Sequence, residues 1–130
     1  MSAPRNNIPR FGLVLPTYGT GFDWKQTVTA ACLAEELGYD SLWVPDHLVS
    51  PTGSGGCFEG WTVLSALGTV TSRIELGTFV LCNQFRHPSL VSKMVSTLDH
   101  LSCGRSVMGI GSCSLGREHD EFGIEWGSRT

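Results

Sequence analysis

The chain has 130 residues, 41% of them hydrophobic, with 16 glycines and 6 prolines; this is enough for one compact domain and too apolar for intrinsic disorder. Nine Lys and Arg against twelve Asp and Glu give a formal net charge of −3, which argues against nucleic acid or an anionic membrane as a partner, since both require a basic surface. Charged residues make up 16% of the chain, below the roughly 25% of an average soluble domain, so much of the surface is expected to be covered.

The start of the chain, Met1 to Arg10, is polar and carries no apolar core of a secretory signal. No run approaches the roughly 18 apolar residues of a membrane span. Residues 11–15, 41–44, 74–81 and 107–110 are short apolar runs with little polar alternation, the pattern of parallel strands covered on both faces. Between them lie three predicted helices. The first opens at Asp23, with Gln26 three residues on as in a capping box, and ends at Gly38. Val63, Leu64, Leu67 and Val70 form one face of the second. Pro88 suits the first position of the third, whose stripe is Leu90, Val91, Met94, Val95, Leu98 and Leu101. The connection from Val44 to Gly60 reads as a mobile loop, and the residues after the fourth strand as a polar tail.

Strand starts recur every 30–33 residues, the size of one strand-helix unit. Two α/β architectures fit: a doubly wound sheet of flavodoxin type, or the first half, four strands and three helices, of a (β/α)₈ barrel. In both, chemistry gathers at the C-terminal ends of the strands. There the sequence places Pro16-Thr17-Tyr18, then Asp46-His47, then Cys82-Asn83 with Arg86-His87, then Gly111-Ser112. Asp46 and His47 form the most chemically loaded pair, a carboxylate beside an imidazole that titrates near neutral pH. Gly109 and Gly111 lack the third glycine of a dinucleotide fingerprint, because that position is Ser114. The five cysteines (Cys32, Cys57, Cys82, Cys103, Cys113) are odd in number and show no Cys-x-x-Cys spacing. They are expected to be free thiols in a reducing cytoplasm. No metal site is expected, since Glu118 and His119 are not spaced as two ligands on a helical turn.

Several collinear stretches are similar to one family. The residues Leu42-Trp43-Val44-Pro45-Asp46-His47, Ser72-Arg73-Ile74-Glu75-Leu76-Gly77-Thr78, His87-Pro88, Leu98 to Arg105 and Glu118 to Ile124 resemble the bacterial luciferase-like monooxygenases, most of all the branch that uses coenzyme F420. The resemblance implies a TIM barrel, of which residues 1–130 form the part up to strand four, and hydride transfer at the coenzyme F420 ring to or from a small organic substrate. FMN with dioxygen is the alternative. His47 would be the acid-base residue, and Asp46, Thr78, Phe79, Val80, Cys82, Asn83, Gly111 and Ser112 would hold the coenzyme, with a non-prolyl cis peptide at Phe79-Val80. Where the family carries Gly-x-Gly-x-Gly-Trp after its fourth strand, this chain ends the motif with Cys113 and Ser114, which alters the substrate side. The chain stops at Trp126 to Thr130 before a fifth strand. An isolated half would expose sheet edges, so a second copy or another barrel half is the expected partner, and a non-catalytic half-barrel is the third reading.

Overall fold

In the computed structural model, residues 9–126 are described; the expectations drawn from residues 1–8 and 127–130 lie outside them. In chain order the elements are β1 (Gly12–Val14), β2 (Tyr18–Gly19), α1 (Trp24–Glu36), β3 (Ser41–Val44), β4 (Gly56–Cys57), α2 (Gly60–Val70), β5 (Glu75–Thr78), β6 (Leu81–Cys82), α3 (Pro88–Leu101), β7 (Ser106–Val107), β8 (Ile110–Gly111) and α4 (Gly116–Phe122). The main sheet is parallel with the order β1-β3-β5-β7. Strand order follows chain order, so every crossover steps the same way. A doubly wound sheet would have to reverse direction after its first unit, and that alternative falls. The architecture is the first half of a (β/α)₈ barrel.

Register explains which residues form the core. Leu13, Leu42 and Leu76 are neighbours across three strands, and Leu42 and Leu76 are fully buried. They meet Ala31 and Ala34 of α1, Leu64 and Leu67 of α2, and Val91 and Leu98 of α3 in a single cluster. Helices thus cover one face of the sheet. The other carries Val14, Trp43, Gly77 and Val107 in register and stays open, with Val14 47% exposed. The expectation of strands covered on both faces is therefore corrected. The helix stripes are also wider than the sheet they cover: Leu90 and Leu101 of α3 and Leu37 after α1 are exposed.

Three further expectations change. The third apolar run divides into β5 and β6 around a cis Phe79-Val80 peptide, and β6 pairs with β8 rather than continuing beside β7. The supposed mobile loop contains β4, which pairs antiparallel with β2. The polar tail folds as α4, docked by the buried side chains of Glu118 and His119. Among the described residues there are accordingly four helices, and none is long and apolar enough to cross a membrane.

Two polar braces hold the layers together. Arg105 donates to the carbonyls of Gly68, Thr71 and Ile74 at 2.9–3.0 Å, satisfying the C-terminal end of α2. Glu35 accepts from the backbone N–H groups of Ser72, Arg73 and Ile74 at 3.0, 2.6 and 2.9 Å, tying the end of α1 to the entry of β5. Burial alone would raise the Glu35 carboxyl, but the N–H groups of Ile74, Arg73 and Ser72 outweigh it and hold the group down to about 2. A carboxyl depressed on folding stabilises fully above its unfolded value of 4.5 and loses that contribution as pH falls toward 2. Thermal melts between about pH 5 and pH 2.5 should therefore show a steeper loss for the parent than for Glu35→Gln. Parallel curves would refute this linkage.

Candidate active site

The C-terminal ends of β3, β5 and β8 surround a cavity of about 390 Å³ lined by Asp46, His47, Phe79, Val80, Cys82, Ser112, Cys113, Ser114 and Glu118. Six of the nine residues that the sequence reading assigned to the site share this one wall. Thr78 is buried just beneath, its hydroxyl donating to the Gly109 carbonyl at 2.7 Å. Gly111 lies against Val80, where a β carbon would come within 2.7 Å of the valine methyl. Asn83 turns elsewhere. It lines a larger cleft, about 720 Å³, between α3 and the open sheet edge, with Val91, Val95, Met108 and Ile110. That cleft is bigger but mostly apolar, and the titratable residues cluster at the smaller cavity.

Asp46 reaches the cavity wall from the end of β3, yet its side chain is fully covered. Arg86 donates to both oxygens, from Nη1 to Oδ2 at 2.7 Å and from Nη2 to Oδ1 at 2.8 Å. The Cys82 backbone N–H donates to Oδ2 at 2.9 Å. Nη2 also pairs with Glu59, whose carboxylate caps α2 through the N–H groups of Trp61 and Thr62. Burial lowers the Arg86 guanidinium, but its bonds to Asp46 and the charges of Asp46 and Glu59 outweigh that and raise it. Burial raises the Glu59 carboxyl, whereas the Thr62 hydroxyl, the helix N–H groups and Arg86 together lower it. Asp46 is thus a clamp between β3 and β6, acting on the cavity through the backbone it holds.

His47 occupies the polar side of the cavity. Its Nδ1 lies 3.2 and 3.3 Å from the two carboxylate oxygens of Glu118, its ring meets Tyr18 edge-on at 5.6 Å, and its side chain is 24% exposed. Glu118 is 2% exposed and also accepts from the Leu48 N–H at 2.6 Å. Nδ1 faces the carboxylate, which leaves Nε2 as the ring nitrogen that Glu118 does not engage. The Cys57 thiol donates to the His47 carbonyl at 3.4 Å and is pushed up to about 11, first by burial and then by the charge of Glu118, which keeps it a thiol donor. Phe79 and Val80, 62% and 44% exposed, form the apolar wall.

The third group corrects the reading of all cysteines as free thiols. Cys82 and Cys113 are disulfide-bonded, with Cα atoms 5.0 Å apart, while Cys32, Cys57 and Cys103 are free. The pairing of β6 with β8 brings together two cysteines 31 positions apart, where no local spacing rule applies. His119 joins them: the two sulfurs and an imidazole nitrogen lie within 4.8 Å of one another. The sequence reading placed Arg86 among the strand-end residues and Glu118 in a stretch that carries the family resemblance, but paired neither with Asp46 or His47. Glu118 sits 71 positions from His47, where no local spacing rule joins them.

A family model described as luciferase-like monooxygenase matches residues 9–130. An F420-dependent glucose-6-phosphate dehydrogenase of Amycolatopsis mediterranei is 35% identical over 108 residues, 81% of this chain and 32% of that protein. The 4-hydroxyprotoasukamycin monooxygenase of Streptomyces nodosus subsp. asukaensis is 31% identical over 102 residues, covering 78% of this chain and 27% of the relative. Among solved structures, the coenzyme F420-dependent tetrahydromethanopterin reductase of Methanopyrus kandleri superposes with a TM-score of 0.70 at 25% identity, over 88% of this chain and 30% of that one. The chain spans about a third of the length of these relatives.

Proposed function

The chain belongs to the luciferase-like monooxygenase family, and from that premise we propose that its cavity is the ring end of a coenzyme F420 site in an oxidoreductase acting on a small organic substrate. The observation that carries this reading is the buried Glu118 carboxylate that holds His47 at the cavity wall, opposite the apolar ridge of Phe79 and Val80. A volume of about 390 Å³ lies within the range of small-molecule sites and suits a planar tricyclic ring. Among the described residues lining it there is no Lys or Arg, so it fits the aromatic ring and not the phosphorylated end of the coenzyme. The 35% identity to an F420-dependent dehydrogenase supports coenzyme F420 over FMN.

Bound there, coenzyme F420 supplies a ring carbon that gives or receives a hydride. The protein's residues supply the rest. Phe79 and Val80 exclude water from one face. Asp46, through Arg86 and the Cys82 N–H, fixes the distance between the ends of β3 and β6. His47 holds or releases a proton at Nε2, and Glu118, as a positioning residue, keeps the ring turned toward the cavity.

The open sheet face and the free edges of β1 and β7 support association with a second set of strands, from a second copy or another barrel half. A cytoplasmic location belongs to the same reading. Fluorescence titration with each coenzyme, followed by sedimentation, tests it. Saturable binding of coenzyme F420 and a species heavier than a monomer are expected. Saturation by FMN alone, or a monomer that binds neither coenzyme, would overturn the proposal.

A further inference from the structure

We propose that Cys82, Cys113 and His119, once the disulfide is reduced, bind a zinc ion at the cavity wall, so that metal and disulfide are alternative states of one site. Three observations carry this. The ligand atoms already lie within 4.8 Å of one another, on three different elements: β6, the turn after β8, and α4. Around a tetrahedral zinc with Zn–S near 2.3 Å and Zn–N near 2.0 Å, ligand atoms stand roughly 3.5–3.8 Å apart. Opening the S–S bond lets the sulfurs separate toward that spacing. Second, the donor set of two thiolates and an imidazole suits zinc and not a hard cation such as magnesium.

Third, His119 is held as a ligand would be. It is 2% exposed, packed edge-on against Trp126 with centroids 4.1 Å apart, and flanked by Phe85 at 5.5 Å. Its Nε2 lies 2.8 Å from Gln84 Oε1 and its Nδ1 3.4 Å from the Leu115 carbonyl, so the ring orientation is fixed by protein oxygens, the usual arrangement behind a metal ligand. Cys82 and Cys113 both line the cavity, so three protein ligands leave the fourth position open to it.

The chemistry balances with a dithiol reductant such as dithiothreitol. The S–S bond breaks as the dithiol closes to its own cyclic disulfide, and its two electrons and two protons leave Cys82 and Cys113 as thiols. Zinc then displaces both thiol protons to solvent. Nothing in this step uses the coenzyme, so its failure is separate from failure of the coenzyme reading.

The test uses the 130-residue chain with Cys32, Cys57 and Cys103 replaced by serine, reduced with dithiothreitol and freed of it under anaerobic conditions. Zinc content is measured by elemental analysis, and Co²⁺ is added as a visible probe of thiolate ligation. About one zinc per chain and a thiolate-to-cobalt charge-transfer band are expected for the reduced protein, with neither for the oxidised one. Cys113→Ser should abolish the band, and His119→Ala should weaken affinity at least about tenfold. Equal uptake by the Cys82→Ser/Cys113→Ser pair, or none by reduced protein whose two thiols are titratable, would overturn the proposal. If the triple-serine chain does not fold, alkylation of the unaltered chain decides it. Zinc must then protect Cys82 and Cys113 but not Cys103, and equal labelling refutes the site.

Discussion

Replacing Arg86 with methionine is expected to lower the unfolding free energy by about 3–5 kcal/mol, because it leaves a buried carboxylate without its cation. The Asp46 side chain is fully covered, and without Arg86 its one hydrogen-bond partner among the described residues is the Cys82 backbone N–H. Desolvation of a charge is repaid only when both members of the pair are present. The asymmetry makes the prediction specific. Combining Arg86→Met with Asp46→Asn should recover much of the loss, since the neutral amide still accepts from the Cys82 N–H and no fully buried charge is stranded, Glu59 being partly exposed and still capping α2. Urea unfolding of the parent, both single variants and the double variant measures the coupling. A single-variant loss under about 1 kcal/mol would mean that water reaches Asp46 and the clamp is not closed.

Under the proposed function, His47→Ala should slow hydride transfer by about 10²–10⁴-fold, the usual worth of a positioned acid or base. Coenzyme affinity should change little, because the apolar ridge of Phe79 and Val80 is untouched. Glu118→Gln separates positioning from chemistry. The amide oxygen can still accept from the Leu48 N–H and from His47. A smaller drop than in His47→Ala is expected, because the imidazole stays turned toward the cavity. Single-turnover rates of the two variants read this directly. Equal losses would show that Glu118 does more than hold the ring in place.

Much of the architecture was legible because it rests on local rules. Asp23 caps α1 through the Lys25 N–H, His87 and Pro88 open α3, and Gly38 and Gly104 adopt positive φ where their helices end. The family motif also led to the Asp46-His47 corner and to the Phe79-Val80 peptide, which is cis as the resemblance implied. What failed were statements about covering. Apolar runs without alternation suggested two buried faces, and stripes on α1 and α3 suggested full burial. Val14, Leu90 and Leu101 are exposed instead.

Composition, strand spacing and strand-end residues were enough to define an α/β chain with its polar groups collected at one end of a sheet. Spacing left two architectures open; the family resemblance pointed to the barrel, and the strand order, a relation among elements that share no local signal, bore that out. Only the tertiary structure joined His47 to Glu118, Asp46 to Arg86, and Cys82 to Cys113 and His119. The physical reason is common to all three. Caps and turns are set by groups a few bonds apart, whereas these partners stand 71, 40 and 31 positions apart for the leading pairs and meet only where parallel strands bring their ends together.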